Sequence, residues 1–370
     1  MKLRNLLLIG LIFLFIASCG KKEEEVIKLG AVLAMTGESG LWGQNLKTGM
    51  ELAISEINHS GGILGRKVVI VYEDTKSNSK DAVNALYRVI NLSDIECIMG
   101  DALSSNTLAM APICERNKKV LLNFCVASEL SYAGDYIFRN WNSAVLEAKF
   151  ISSFVKKSSK KLVVLFQNDS YGISLKNELI SGLDDSVKIV YSGGFDKGTT
   201  DFRGIIAKFL NLNYDGIYLS SYYEEALKLL RKYKEMNGKK VNIYGVSEWD
   251  EKNLKEFISM TYPNLVYYPY PLPPDSTLPI RKRFLEGFRE KYSQEPLYLS
   301  DNGYDAVYQI KYGIEKAGIY NSTKVKDALY SMKDFQGASG IMSFDSNGDV
   351  HKPYGLKTFN KEGEYWFNEY

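Results

Sequence analysis

Apolar residues along this chain fall into short unbroken runs, and these alternate with longer stretches of helical spacing. Val26 to Leu33, interrupted only by Lys28, predicts a first strand. Thr36 to Gly43 reads as a glycine-rich loop, and Leu46 to Ile57 as a helix with Met50, Ala53, Ile54 and Ile57 on one face. Val68 to Tyr72 predicts a second strand ending at Glu73-Asp74, and Asp81 to Ile90 a second helix. Ile95 to Met99 is a buried strand, and a helix based on Leu108, Ala109, Ala111 and Ile113 runs to about Asn117. Val120 to Phe124 is the next strand. Strands that are apolar on both faces, each followed by a helix, are the pattern of a covered parallel sheet.

The pattern then restarts. Leu146 to Val155 is helical, and strands are expected at Leu162 to Phe166, Val187 to Tyr191, Gly216 to Leu219 and Val241 to Tyr244. Helices separate them at Ile173 to Leu183, Phe202 to Leu210 and Glu225 to Met236. Val266 to Pro274 carries four prolines and three tyrosines, which argues against a central strand and for a crossing between two halves. Ile280 to Tyr292, Asn302 to Ala317 and Lys324 to Met332 are three further helices, and the tail from Ile341 is strand-like. Two doubly wound units in tandem predict an α/β fold of two parallel-sheet lobes joined by a multi-strand hinge. Ligands of such sheets sit beyond the carboxyl ends of the strands.

The 370 residues provide for two such cores. Residues 1–18 belong to neither. Lys2 and Arg4 precede an apolar run from Leu6 to Ile16, too short for a comfortable span, and Ile16-Ala17-Ser18-Cys19 follows. That ending resembles the lipobox of bacterial lipoproteins, which makes Cys19 the lipidated N-terminus, anchored to a membrane, and residues 19–25 a polar tether. Loss of Lys2 and Arg4 takes the basic residues from 46 to 44, against 44 acidic ones. A formally neutral mature chain offers no basic field for nucleic acid. Cys97, Cys114 and Cys125 are odd in number and lack zinc-site spacing, so buried free thiols are expected and no metal. Neither His59 nor His351 carries a role, no Gly-x-Ser-x-Gly elbow is present, and no Gly-x-Gly-x-x-Gly follows a strand. The reading is therefore of a non-enzyme that needs no cofactor.

The most telling stretch is Ile98 to Thr107, where a strand gives way through Gly100 to Ser104, Ser105, Asn106 and Thr107. A helix start presents unpaired N–H groups and partial positive charge, which suits a carboxylate. Ser104 or Ser105 capping its own helix explains the same residues without a ligand.

In order and spacing, several segments together resemble the branched-chain amino-acid binding proteins of ABC transporters, with the type I periplasmic binding protein fold. They are the Thr36-Gly37 loop, Ala53 to Asn58, Gly61 to Arg66, Tyr72-Glu-Asp74, Gly100 to Thr107, Asn168 to Gly172 and Ser343 to Asp349. The resemblance implies lobes made of residues 26–143 with 273–334 and of residues 144–272 with 335–370. It implies that Ser104, beside Ser105, meets a ligand carboxylate, that the Val126 carbonyl and Ser128 follow from the next loop, and that Tyr171 and Tyr222 contact the ligand from the second lobe. Trp42 then walls the ligand side chain, and Glu248, one residue beyond the family's usual place at Ser247, meets the ammonium. Asp101, close to the carboxylate site, stands to repel an anion or select a cationic guest.

The function so implied is a monomeric extracytoplasmic lipoprotein that captures an amino acid or similar small carboxylate and delivers it to an ABC permease. An envelope lipoprotein of the same fold that activates a peptidoglycan synthase is the alternative. It need not keep Ser104, Ser128 and Tyr222 facing one void.

Overall fold

The computed structural model of the chain describes residues 26–92 and 94–367; the expected signal segment, tether and Cys19 lie outside the described residues. The first lobe alternates β1 (Ile27–Leu33), α1 (Gly40–His59), β2 (Val68–Asp74), α2 (Ser79–Ile90), β3 (Ile95–Met99), α3 (Ser104–Arg116), β4 (Val120–Asn123) and β5 (Ile137–Arg139). Its five strands form one parallel sheet in the order β2-β1-β3-β4-β5.

The second lobe follows with α4 (Ala144–Ser158), β6 (Lys161–Gln167), α5 (Ser170–Gly182), β7 (Lys188–Phe195) and α6 (Arg203–Phe209). It continues through β8 (Gly216–Ser220), α7 (Tyr223–Glu235), β9 (Asn242–Tyr244), α8 (Lys252–Thr261) and β10 (Val266–Pro271). The chain then returns to pack α9 (Pro279–Tyr292) and α10 (Ser300–Ala317) on α1, with α11 (Ser322–Tyr330) on α10. A hairpin of β11 (Phe335–Gly337) and β12 (Gly340–Met342) precedes β13 (Tyr354–Asn360) and β14 (Gly363–Trp366), which rejoin the second sheet. That sheet runs β14-β13-β10-β9-β8-β6-β7, parallel from β7 to β10 and antiparallel at β13 and β14. It is therefore mixed rather than wholly parallel.

Three passages between the sheets are tied together by asparagines. Asn140 and Asn302 each donate a side-chain amide to the other's carbonyl, at 3.2 and 2.8 Å. Asn142 does the same with the backbone of Lys352, donating at 2.8 Å and accepting at 2.7 Å. Buried Arg139, at the end of β5, is paired with Asp349 at 2.8 Å, which fixes the tail segment to the same junction.

Three sequence expectations are corrected. Thr36 to Gly43 is not all loop, because α1 begins at Gly40, so Trp42 sits in its first turn. The glycines serve close approach: a Cβ on Gly43 would lie 2.0 Å from the Ala34 carbonyl at the end of β1. Likewise α3 starts at Ser104 rather than near Leu108.

Val266 to Pro271 is an interior strand, not only a crossing. The Gly245 N–H donates to the Tyr267 carbonyl at 2.8 Å, so odd-numbered residues of β10 turn their backbone polar groups toward β9. β9 has ended by Tyr244, and the missing N–H groups of Pro269 and Pro271 fall where no partner strand remains. Cys97, Cys114 and Cys125 are buried free thiols, as expected.

Candidate functional site

A cavity of about 230 Å³ lies where the two sheets face each other across the carboxyl ends of their strands. Trp42 and Asn45 of α1 line it from the first lobe and Tyr222, Lys197, Glu248 and Asp250 from the second, with Tyr298 from the segment ahead of α10. The aromatic walls are mutually braced. The Trp42 ring meets Tyr222 edge-on at 5.3 Å and Tyr298 at 6.2 Å, and Tyr298 meets Trp141 at 5.7 Å. Tyr171 lies flat against Tyr222, centroids 4.3 Å apart. Such a cage offers apolar faces to a guest side chain and keeps water from its polar end.

The acids sort by environment. Asp250 is half-buried, which opposes ionisation, but Lys357 and Lys255 outweigh that and hold its carboxyl below the ordinary range. Glu248 has no such neighbour. Its carboxylate accepts from the Tyr171 hydroxyl and lies 3.1 Å from Ser247 Oγ, and burial pushes its pKa up. Glu147, in the first turn of α4, is fully buried behind it. Glu147 accepts the Ser247 N–H at 2.9 Å and the Ser247 hydroxyl at 2.7 Å, and burial together with Glu248 raises its pKa as well. No lysine, arginine or histidine pairs with either acid among the described residues.

Of the eight residues expected to form the site, Trp42, Tyr222 and Glu248 meet at the cavity, with Tyr171 one layer behind. Ser104 is buried on the first-lobe side, and its hydroxyl has no hydrogen-bond partner among the described residues. It is not a cap: Leu103 holds that position, and Asp101 accepts the Ala102 N–H at 2.8 Å just ahead of the helix. Ser105 is exposed and lines no part of the cavity. The Val126 carbonyl accepts the Ala144 N–H at 2.7 Å, and Ser128 is engaged by Ser174. Burial first, then Asp169, Glu248, Cys125 and Asp101, holds the Tyr222 hydroxyl well above its ordinary pKa.

Asp101 does not confront the guest as a free charge. Thr75 and the Asn106 amide both donate to it at 2.8 Å inside the lobe, and burial raises its pKa against them. Glu147 and Tyr298 escaped the sequence reading. Glu147 was legible as the one acid on a stripe of Ala144, Ala148, Ile151 and Val155, all buried in α4. Tyr298 had no comparable signal.

Comparison with known proteins agrees with this architecture. A family model described as periplasmic binding protein matches residues 26–363. The leucine-, isoleucine-, valine-, threonine- and alanine-binding protein of Pseudomonas aeruginosa is 25% identical over 333 residues, 88% of this chain and 87% of that one. The Leu/Ile/Val-binding protein of Escherichia coli is 29% identical over 233 residues, 61% of this chain and 62% of that one. In structure the chain is similar to a leucine-binding protein from Thermotoga maritima, with TM-score 0.84, 26% identity and coverage of 93% and 98%. A substrate-binding protein of a branched-chain amino acid transporter from Streptococcus pneumoniae, in complex with isoleucine, is similar at TM-score 0.80, 25% identity and coverage of 93% and 99%.

Proposed function

The chain belongs to the periplasmic binding protein family, and on that premise we propose that it is the extracytoplasmic receptor of an ABC transporter for an amino acid. One observation carries the reading: an aromatic cage of Trp42, Tyr222 and Tyr298 faces Glu248, an acid with no basic partner among the described residues. An ammonium group is the complement of such an acid, and an apolar or small side chain the complement of such walls. The names of the relatives support the same class of guest. Ser104 takes the carboxylate end, the Val126 carbonyl and Ser128 flank the guest from the loop after β4, and Tyr171 holds Glu248 in place. The bodies that move are residues 26–143 with 273–334 and residues 144–272 with 335–370. Closure on the guest shifts the equilibrium between open and closed forms, and the closed monomer docks on the permease.

Melting curves test this on protein stripped of bound solute. One or a few amino acids should raise the melting temperature, by about 2.7 kcal/mol of stabilisation at a hundredfold excess over Kd. No response across a full amino-acid panel would overturn the reading. Lipidation at Cys19 is tested separately: palmitate labelling of the expressed chain should vanish in Cys19→Ser.

A further inference from the structure

Ser247 Oγ lies 2.7 Å from a Glu147 carboxyl oxygen and 3.1 Å from a Glu248 carboxyl oxygen. A hydroxyl carries one proton and can donate to only one of them. Besides the Glu248 N–H, which favours that residue's own carboxylate, three other donors reach the pair among the described residues. The Ser247 N–H serves the second oxygen of Glu147, the Tyr354 hydroxyl reaches Glu147 at 3.3 Å, and the Tyr171 hydroxyl serves Glu248. The remaining oxygen-to-oxygen contact therefore brings two lone pairs together unless one carboxyl is itself protonated. Two like charges buried side by side favour the same outcome.

Five phenols surround the pair, Tyr171, Tyr218, Tyr222, Tyr298 and Tyr354, each held well above its ordinary pKa by burial and so neutral, and Asp250, which lines the same cavity, is paired with Lys255 and Lys357. None of the phenols supplies positive charge. Of the lysines lining the cavity, Lys197 pairs with Glu38 at 2.9 Å and Lys252 with Glu256 at 3.9 Å.

We propose that Glu147 and Glu248 form a two-carboxylate receptor that holds one shared proton when empty and releases it to solvent as an ammonium-bearing guest enters. Glu248 touches the guest, and Glu147 is a positioning residue that acts through it and through Ser247. The pair gives up one proton and gains the guest's ammonium, so the charge at the two acids stays the same, while the guest's carboxylate is met apart from them at Ser104 and the start of α3. The inference rests on the amino-acid reading above but has a readout of its own.

Infrared spectroscopy of the empty protein at neutral pH should show the carbonyl stretch of a protonated carboxyl, and L-leucine should reduce it by the intensity of one carboxyl. Calorimetry with L-leucine in phosphate and in Tris should give different heats, corresponding to close to one proton released per guest. Glu147→Gln should bind leucine with the same heat in both buffers. An empty wild-type protein without the carboxyl band overturns the proposal, whether or not any guest binds and whether or not the variant folds. A band whose intensity leucine leaves unchanged, or heats of wild type that are independent of buffer, overturns it too. A band with no amino acid bound refutes the amino-acid reading and leaves the shared proton standing.

Discussion

Ser128 of the first lobe and Ser174 of α5 in the second are joined twice. The Ser128 N–H donates to Ser174 Oγ at 2.9 Å, and the two hydroxyls lie 2.9 Å apart, all of it buried. With Trp42 against Tyr222, this makes the chain's arrangement a closed one. Ser174→Ala leaves the Ser128 N–H without an acceptor only while the lobes are shut, since water reaches it once they part. A buried unpaired donor costs about 1–3 kcal/mol. The variant should bind its amino acid roughly 5- to 150-fold more weakly by calorimetry. Its melting temperature without guest should stay close to that of wild type.

Lys197 and Glu38 also bridge the lobes, at 2.9 Å, but their side chains are 33% and 65% exposed. Exposed ion pairs are worth about 0–1 kcal/mol and are screened by salt. Lys197→Ala should therefore weaken binding by less than about fivefold, and molar salt should erase the difference. A loss larger than that of Ser174→Ala would mean that charge, not the buried hydroxyls, holds the lobes shut.

Ser104 predicts effects of opposite sign on stability and affinity. Its hydroxyl is buried and has no partner among the described residues, so removing it breaks no hydrogen bond within the protein. Ser104→Ala should melt at or above the wild-type temperature when empty. With a carboxylate guest, the variant loses a donor and should bind about 1–3 kcal/mol more weakly. Unchanged affinity for leucine would remove Ser104 from the site.

What could be read from the sequence follows from where one physical constraint acts alone. β3 was legible to the residue, because a covered strand is mostly apolar, here Ile95, Cys97, Ile98 and Met99 around a half-buried Glu96, and is bounded by polar residues. The start of α1 was not. Glycine marks loops that need unusual backbone and helices that need close approach, and at Gly40 and Gly43 the second reason holds. The prolines of β10 misled in the same way, since a missing N–H matters only where a neighbouring strand would have used it. At the cavity, Trp42, Tyr222 and Glu248 were expected from the family resemblance of their loops, whereas Glu147 lies inside a helix that reads as core.

Lys352 carries a pH dependence whose sign can be worked out. It is buried beside Trp141 and donates to Ser339 Oγ at 2.8 Å, and burial, opposed by Asp305 and Asp301, lowers its pKa from 10.5 to about 8. Between those values the unfolded chain binds a proton that the folded chain does not, so folding becomes more favourable as pH rises through that window. Below it, the folded state bears the cost of a buried ammonium. Comparison with Lys352→Met removes the contribution of the tyrosines, which titrate in both proteins. The stability of wild type relative to the variant, from urea titrations, should rise by on the order of 3 kcal/mol from pH 8 to 10.5. A flat difference would mean that Lys352 keeps its ordinary pKa.

Gly303 sets two opposing magnitudes against each other. In a helix, alanine is favoured over glycine by about 1 kcal/mol. Here α10 crosses α1 so closely that a Cβ on Gly303 would lie 2.2 Å from the Leu46 carbonyl, and one on Gly49 would lie 1.8 Å from that of Ser300. Both obstacles are backbone, which cannot step aside as a side-chain tip does, and overpacking of that kind costs about 1–3 kcal/mol or more. The second effect wins, so Gly303→Ala should lower the urea midpoint. Gly204, exposed in α6 with nothing within 4 Å of its Cβ position, is the control. Gly204→Ala should raise the midpoint by the propensity gain alone, and the two substitutions should move it in opposite directions.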